Sequence, residues 1–311
     1  MAQGRESAAS ERNRIRHGTS ITDRARRARI RASFSLHQHV LSNRSSRRAF
    51  AASDVTLNDQ QLHVLRALEA DGFAKTTFDE LIADTGLWNE LCSEMEVFER
   101  EVRPEKEHKK YLLKRSGKTG RPFTLDDPWL RYATLPAILD VVNSYLQLHS
   151  KLVDMDQWYT LPMPPGSERI ASQRWHRDGR DVNIVKVFTY FSDVDRDAGA
   201  LEYVLGSPPG GRYGDLWPWD PVDSGYHPPE PEMDSRVPAS ERAFATGPVG
   251  TIVFCNTSGF HRGGYASKPR INSMFSYVSP ASVATLRERR FTVDLQKAAG
   301  DVVDAARFAL T

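Results

Sequence analysis

The stretch QRWHRDGRD, residues 173–181, places an imidazole and a carboxylate two positions apart, at His176 and Asp178. Side chains at i and i+2 of a strand point to the same face, so an extended backbone here would aim both groups at one point. The surrounding runs are short, rich in β-branched and aromatic residues, and separated by Gly, Pro, Asp and Asn: RIASQRWHRD, NIVKVFTYFSDV, ALEYVLG, GTIVFCNTS and INSMFSYVSP. Such runs are typical of an antiparallel sandwich or jelly roll and not of a parallel α/β sheet.

Two further histidines in the second half of the chain are candidates for a third metal ligand. His227 lies in a proline-rich segment, whereas His261 follows the run GTIVFCN and a tight Asn-Thr-Ser-Gly turn, at the end of a predicted strand. Two histidines and one carboxylate form the facial triad of non-haem Fe(II) oxygenases, which leaves three coordination positions open. The pattern therefore predicts an iron site formed by His176, Asp178 and His261. A surface His–Asp pair with a loop-capping His261 is the structural alternative.

An arginine nine residues beyond His261 indicates the co-substrate. Arg270 lies in KPRINSMFSYV, on the next predicted strand, and a guanidinium fork suits a planar carboxylate. Iron and a fixed arginine together predict a diacid, 2-oxoglutarate, with one end on the metal and the other on Arg270. Lys186 is a candidate for neutralising a carboxylate or phosphate in the barrel, or else for a sheet-edge charge. Thr251 and Asn272 are candidates for hydrogen bonds to the same co-substrate.

Residues 155–280 resemble the phytanoyl-CoA dioxygenase (PhyH-like) family of Fe(II)/2-oxoglutarate oxygenases. The resemblance rests on W-H-x-D, K-V-F-x-Y-x-S-D-V-D-x-D-x-G-A-L, G-S-P and H-R-G-G followed by an arginine. It implies a double-stranded β-helix core, with iron held by His176, Asp178 and His261 and with Arg270 on the distal carboxylate. It also implies that O₂ and 2-oxoglutarate are consumed, that succinate and CO₂ are released, and that a small-molecule substrate is hydroxylated. Desaturation and cyclisation remain alternatives, and the substrate itself is not predicted.

The segment 206–246 departs from the family pattern, since it holds eight of the eighteen prolines. A connection of about 40 residues without regular structure is long for a compact domain and is often a lid or a binding loop. We therefore expect a lid-like loop over one mouth of the sandwich. The candidates for substrate contact are Arg180, Trp217, Trp219 and Tyr226. An ordinary exposed proline loop and a solvated arginine are the alternatives.

The first 50 residues differ in charge from the rest of the chain. They hold twelve arginines, no lysine and three acids, a formal charge of +9, so the remaining 261 residues carry −7 of the net +2. This composition predicts a basic, partly disordered extension, with a docking arm for an anionic partner or subunit and a transit peptide as alternatives. Residues 51–311 are expected to form one oxygenase domain with a helical lead-in (56–150), a jelly-roll core (about 151–280) and a C-terminal helix (about 281–311). The expected fold class is mainly β with a helical N-terminal half (α+β), its cupin-like core flanked by helices.

Composition excludes several other classes of protein. No apolar run approaches the ~18 residues of a membrane span, and two cysteines are too few for a disulfide framework, so a reducing, cytoplasmic location is expected. No recognised nucleic-acid module is present. Two rival functions stay open: a cupin-type metal enzyme that does not use 2-oxoglutarate, and a non-catalytic protein whose basic tail binds nucleic acid. The oligomeric state is also open, with a homodimer among the alternatives.

Overall fold

The computed structural model describes residues 21–102, 112–116, 122–218, 220, 228–282, 291–294 and 304–311. The helices in these ranges are α1 (Ile21–His39), α2 (Ser42–Ala51), α3 (Asp59–Asp71), α4 (Phe78–Leu81), α5 (Thr85–Val102), α6 (Pro128–Thr134), α7 (Pro136–Leu146), α8 (Glu230–Arg236) and α9 (Asp304–Leu310). The strands are β1 (Phe73–Thr77), β2 (Leu112–Ser116), β3 (Lys151–Thr160), β4 (Val185–Tyr190), β5 (Glu202–Val204), β6 (Arg242–Phe244), β7 (Thr251–Asn256), β8 (His261–Arg262) and β9 (Arg270–Val278). None of these helices is both long and apolar enough to cross a bilayer.

The strands form two antiparallel sheets. The large sheet has the order β1-β7-β4-β9-β3-β2, and the small sheet has the order β6-β5-β8. Every pair of neighbouring strands is antiparallel. The expected α+β class with antiparallel sheets is therefore confirmed, while closure into a double-stranded β-helix stays an interpretation.

Strand alternation gives the large sheet two different faces. On β4, Val185 and Val187 belong to the main apolar core, together with helix residues such as Leu91 and Leu130. The intervening residues of β4 point the other way, as period-2 alternation requires. Register places three rows side by side on that second face: Lys186–Ser276–Asp154, Phe188–Met274–Asp156 and Tyr190–Asn272–Trp158. This face therefore carries most of the polar residues that later form the site.

The helices at the start of the domain begin and end as their sequences predict. Asn58 caps α3 in a capping box with Gln61, and α3 ends at Gly72, whose φ of 73° favours glycine. Thr77 caps α4 in a second capping box with Glu80. These signals are local, because each cap and its partner lie within three residues of one another.

The 56–150 segment, expected as a helical lead-in, also supplies two strands of the large sheet. β1 pairs with β7 at one edge of the large sheet, and β2 pairs with β3 at the other edge. Both edge strands thus come from the 56–150 segment and cover strands that would otherwise expose unpaired backbone groups. The expected C-terminal helix is helical at α9, but residues 291–294 instead form a parallel bridge between Phe123 and Val293. Residues 283–290 and 295–303 lie outside the described residues.

Within the basic extension, residues 21–39 and 42–51 form α1 and α2. Buried polar contacts dock these helices on the domain. Gln38 Nε2 donates to Asp181 Oδ1 at 2.5 Å, and Asn43 Oδ1 accepts from the backbone N–H of Ala281 at 2.9 Å. Residues 1–20 lie outside the described residues.

Candidate metal centre

The stretch that contains His176 and Asp178 is not a regular strand, contrary to the sequence expectation. A short 3₁₀ turn at Ala171–Gln173 precedes it, and its one ladder contact is the bridge between His176 and His261. The backbones of these two histidines exchange N–H···O bonds of 3.0 Å, and the Asp178 N–H donates to the Thr257 carbonyl at 2.8 Å. These contacts keep the backbone extended enough for His176 and Asp178 to face the same side.

The three predicted ligands converge. One ligand atom from each of His176, Asp178 and His261 lies within 4.8 Å of the other two. The imidazole centroids are 4.2 Å apart, and His261 Nε2 lies 4.0 Å from Asp178 Oδ2. Of the residues that the structure describes, these three alone form such a group of possible metal ligands.

Backbone carbonyls fix the imidazole tautomers. His176 Nδ1 lies 2.8 Å from the Arg174 carbonyl, and His261 Nδ1 lies 3.0 Å from the Gly259 carbonyl. Because a carbonyl only accepts, each Nδ1 must carry the proton. Each Nε2 then presents a lone pair, which is the form that a metal-ligating histidine adopts when its other nitrogen is held by a backbone oxygen.

The charges around the triad also suit a divalent cation. Burial and the neighbouring His176 lower the pKa of His261 to about 3, so this imidazole is neutral at physiological pH. Burial alone would raise the pKa of Asp178, but Lys186, whose Nζ lies 2.6 Å from Asp178 Oδ2, and the two imidazoles lower it well below the ordinary range. A neutral imidazole and an ionised carboxylate are the protonation states that bind metal.

A cavity of about 70 Å³ extends from the two histidines to Arg270. Lys186, Tyr190 and Asn272 also line it. Arg270 is only 9% exposed, and its guanidinium donates to the Gly199 carbonyl and to Thr160 Oγ1. The structure therefore brings the candidate carboxylate anchor into the same cavity as the two imidazoles.

Asn272 presents an orphaned polar atom in this cavity. Its side chain is 1% exposed, and its Nδ2 donates to the Ser273 carbonyl at 3.1 Å. Its Oδ1 has no hydrogen-bond partner among the described residues. Buried polar atoms are nearly always satisfied, so this atom indicates a bound water or ligand. The amide oxygen and nitrogen can exchange places by rotation, so either a donor or an acceptor could be presented.

A second and larger cavity, of about 220 Å³, adjoins the triad at Asp178. Asp154, Asp156 and Arg180 contribute its polar lining, and Lys186 borders both cavities. Arg180 Nη1 lies 2.8 Å from Asp154 Oδ2, and the Arg180 side chain is 41% exposed. Arg180, a candidate for substrate contact, thus lines the second cavity and is paired with a carboxylate.

The structure does not bring all the candidates to these cavities. The Thr251 hydroxyl donates to the Pro248 carbonyl at 2.7 Å, and Thr251 lines neither cavity. Trp217 packs against Phe260 with ring centroids 5.4 Å apart and also lines neither cavity. Trp219 and Tyr226 lie outside the described residues.

The described part of 206–246 holds regular elements that the sequence did not predict, while its role as a lid stays a prediction. It contains α8 and β6, and Trp217 and Met233 from it join an apolar cluster with Trp175 and Phe260. Trp175 directly precedes a candidate ligand, and Phe260 directly precedes another. This part of the segment therefore packs against the residues next to the ligands, because its large apolar side chains are buried there.

Sequence reasoning missed the acidic wall of the second cavity. Asp154, Asp156 and Trp158 alternate along β3 in the run DMDQW and line that cavity together. Carboxylates at alternate positions of a strand rich in apolar residues are a usable signal, because alternation places them on one face. Ser276 on β9 lies directly across from Asp154.

Comparison with known proteins agrees with the architecture. No protein-family profile matches the chain, and a search of curated proteins finds no relative in sequence. Among solved structures, the epimerase SnoN in complex with Fe³⁺, alpha ketoglutarate and nogalamycin RO matches with a TM-score of 0.50 and 16% identity, over 78% of this chain and 92% of SnoN. AviO1 from Streptomyces viridochromogenes Tue57 matches with a TM-score of 0.50 and 14% identity, over 73% of this chain and 98% of AviO1. The resemblance to the phytanoyl-CoA dioxygenase family in particular stays a prediction from the motifs. At these identities the likeness concerns the fold: the chain shares the architecture of an enzyme that binds iron and alpha ketoglutarate.

Proposed function

We propose that this protein is an Fe(II)/2-oxoglutarate-dependent oxygenase that hydroxylates a polar small molecule. One observation carries the proposal: two imidazoles and a carboxylate converge within 4.8 Å, and a buried arginine lies in the cavity that begins at the imidazoles. The donor set fits ferrous iron, for which His176, Asp178 and His261 would be the protein ligands. This metal with 2-oxoglutarate and O₂ supplies the oxidising chemistry: RH, 2-oxoglutarate and O₂ give ROH, succinate and CO₂.

The cavity that contains Arg270 is the proposed site for 2-oxoglutarate. A guanidinium held by neutral oxygens of Gly199 and Thr160 keeps its positive charge available for the distal carboxylate. Asn272 supplies an amide on the same wall, and its orphaned atom would gain a partner. The apolar rings of Phe188 and Tyr190 line the cavity between Arg270 and the two histidines and exclude water from it.

The second cavity is the proposed site for the primary substrate. It is lined by Asp178 of the triad, whereas Arg270 lines the first cavity. Asp154 and Asp156 are 3% and 2% exposed, and Arg180 and Lys186 bring positive charge to the same walls. Walls with both signs of charge favour a small molecule with several polar groups over a long apolar chain.

An anaerobic titration with Co(II) and then Fe(II), followed by 2-oxoglutarate, tests this function. We expect one metal per chain, 2-oxoglutarate binding that requires the metal, and succinate formation when O₂ is admitted. Asp178→Asn serves as the matched variant, because it keeps the shape of the ligand but removes its charge, and it should weaken metal binding. A protein that binds metal but not 2-oxoglutarate would be the cupin-type alternative. A protein that binds neither would refute the metal centre.

A further inference from the structure

The residue between the first two ligands points away from the metal centre. Since His176 and Asp178 face one side, alternation sends Arg177 to the other. Arg177 is 6% exposed, so a charged group has been taken out of water at the back of the candidate site. Burial lowers the pKa of Arg177 to about 10, which still leaves the guanidinium charged at neutral pH.

The Arg177 guanidinium donates hydrogen bonds to four backbone carbonyls. Nη1 donates to Ser207 at 2.8 Å and to Ser258 at 2.5 Å. Nη2 donates to Gly214 at 2.8 Å and to Leu216 at 3.3 Å. Only a planar fork can serve two pairs of acceptors at this spacing, whereas a lysine offers three donors at a single point.

These contacts join the ligand segments to each other. The Arg177 guanidinium also lies over the Phe260 ring, 3.8 Å from its centroid. It therefore holds the turn Ser258–Phe260 at both ends. Within that turn, the Gly259 carbonyl accepts the Nδ1 proton of His261 and so orients the imidazole. The same turn also donates a bond to the 206–216 loop, from the Phe260 N–H to Ser207 Oγ at 2.8 Å.

We propose that Arg177 is a positioning residue for the metal centre, acting through the Ser258–Phe260 turn and the Gly259 carbonyl on the imidazole of His261. The inference rests on the proposed metal site. Arg177 contacts neither cavity and takes no part in the chemistry. Its effect is to fix the position of His261 relative to the other two ligands, by tying the Ser258–Phe260 turn to the 206–216 loop. Groups that hold metal ligands in this way typically change metal affinity 10- to 100-fold when they are removed.

The test is Co(II) affinity of Arg177→Met, measured with the visible spectrum of the Co(II) complex and the melting temperature of the metal-free protein. The matched control is Arg212→Met. Arg212 ties the same loop to Asp71 and Glu241 through ion pairs of 2.9 and 2.6 Å, yet it is 47% exposed and remote from the ligand segments in its contacts. We expect R177M to weaken Co(II) binding at least about tenfold with an altered spectrum, and R212M to leave both unchanged. Both variants should melt at a lower temperature than the wild type.

Equal Co(II) affinity and spectrum in R177M and R212M would overturn the inference, since Arg177 would then be purely structural. If R177M does not fold, Arg177→Lys and Ser207→Ala decide, because each keeps part of the same clamp. Weaker Co(II) binding in either supports the inference, and wild-type affinity in both overturns it. Wild-type protein that fails to bind Co(II) would instead refute the proposed metal site, which distinguishes the two failures.

Discussion

Substitution of Arg270 by alanine should separate co-substrate binding from metal binding. Arg270 lines the cavity with the two histidines but is not among the converging ligand atoms. Its Nη1 and Nη2 already donate to the Gly199 carbonyl and Thr160 Oγ1, so the fork is held in place before any ligand arrives. The variant removes a buried charge and its hydrogen bonds from the proposed site of the distal carboxylate.

The magnitude follows from the hydrogen bonds that a fork can make. A hydrogen bond to a charged group contributes about 1.5–3 kcal/mol, and a bidentate pair makes two of them. Water entering the space left by the side chain recovers part of this, so we take a net loss of about 3 kcal/mol. Since each 1.4 kcal/mol is tenfold, the dissociation constant of 2-oxoglutarate should rise on the order of 100-fold. Co(II) affinity should change less than about threefold, because no metal ligand is touched.

The assay compares 2-oxoglutarate with 2-oxopentanoate, which keeps the metal-binding end but lacks the distal carboxylate. Wild-type Co(II)-loaded protein should prefer 2-oxoglutarate by a similar factor of about 100, and R270A should bind both with nearly equal affinity. R270K should lie between, since it keeps the charge and loses the fork. Lys268→Ala is the matched control, because Lys268 is a nearby cation whose ion pair with Asp195 lies at the surface.

Two results would refute the assignment of Arg270. If R270A keeps the wild-type preference for 2-oxoglutarate, the distal carboxylate lies elsewhere. If R270A loses Co(II) and 2-oxoglutarate in equal measure, its effect is on the fold and not on the co-substrate. The melting temperature of the metal-free variant reports on the second case, since Gly199 and Thr160 lose a donor in the variant.

Three further predictions follow from particular contacts. His261→Gln should abolish Co(II) binding and succinate formation, because the amide cannot supply the Nε2 lone pair; Co(II) titration checks this, and retained affinity would remove His261 from the triad. Burial raises the pKa of Asp181 from 3.8 to about 6, so this group's contribution to stability is full below pH 3.8 and is lost as pH rises through 6. The difference in free energy of unfolding between wild type and Asp181→Asn, measured by thermal melting, should therefore shrink by up to about 3 kcal/mol from pH 4 to pH 7. A constant difference would contradict the prediction. Trp217→Ala should lower stability by about 1–3 kcal/mol without changing the KM for 2-oxoglutarate, and unchanged stability with an altered KM would restore its role as a lid.

The sequence could predict the triad because the chemistry limits the choices. Only three histidines follow residue 150, and only His176 has a carboxylate two positions away that extended backbone would align with it. Caps such as Asn58 were equally accessible, because their partners lie within a few residues. What these predictions share is that each depends on local spacing or on a residue type that few positions offer.

The remaining features depend on partners that are distant in sequence. Gln38 meets Asp181 across 143 positions, so nothing in the composition of the arginine-rich segment indicated that it would dock. The edge strand β2 was hidden in a polar, cationic segment, where pairing with β3 and not side-chain pattern defines the strand. Trp217 was predicted to contact substrate as part of a lid, with an exposed proline loop as the alternative. Its ring instead packs against Phe260, from the turn before His261.

The alternation that directs the three candidate ligands to one side also directs the arginines next to them to the other side. His176, Asp178 and His261 turn toward the metal site, so the residues next to them must turn away from it. Arg177 and Arg262 occupy two of these positions, and both are less than a tenth exposed. Arg262 pairs with Glu202 at 2.7 Å and with Glu230 of α8, while Arg177 holds carbonyls of the 207–216 loop. Arg177 and Arg262 thus attach the proline-rich segment to the side of the site that faces away from the three candidate ligands. The backbone that carries these ligands is short and irregular. A regular sheet would hold such ligands by its ladder, whereas β8 has only two residues. We therefore expect the arginine contacts to restrain the ligand segments where this short ladder cannot.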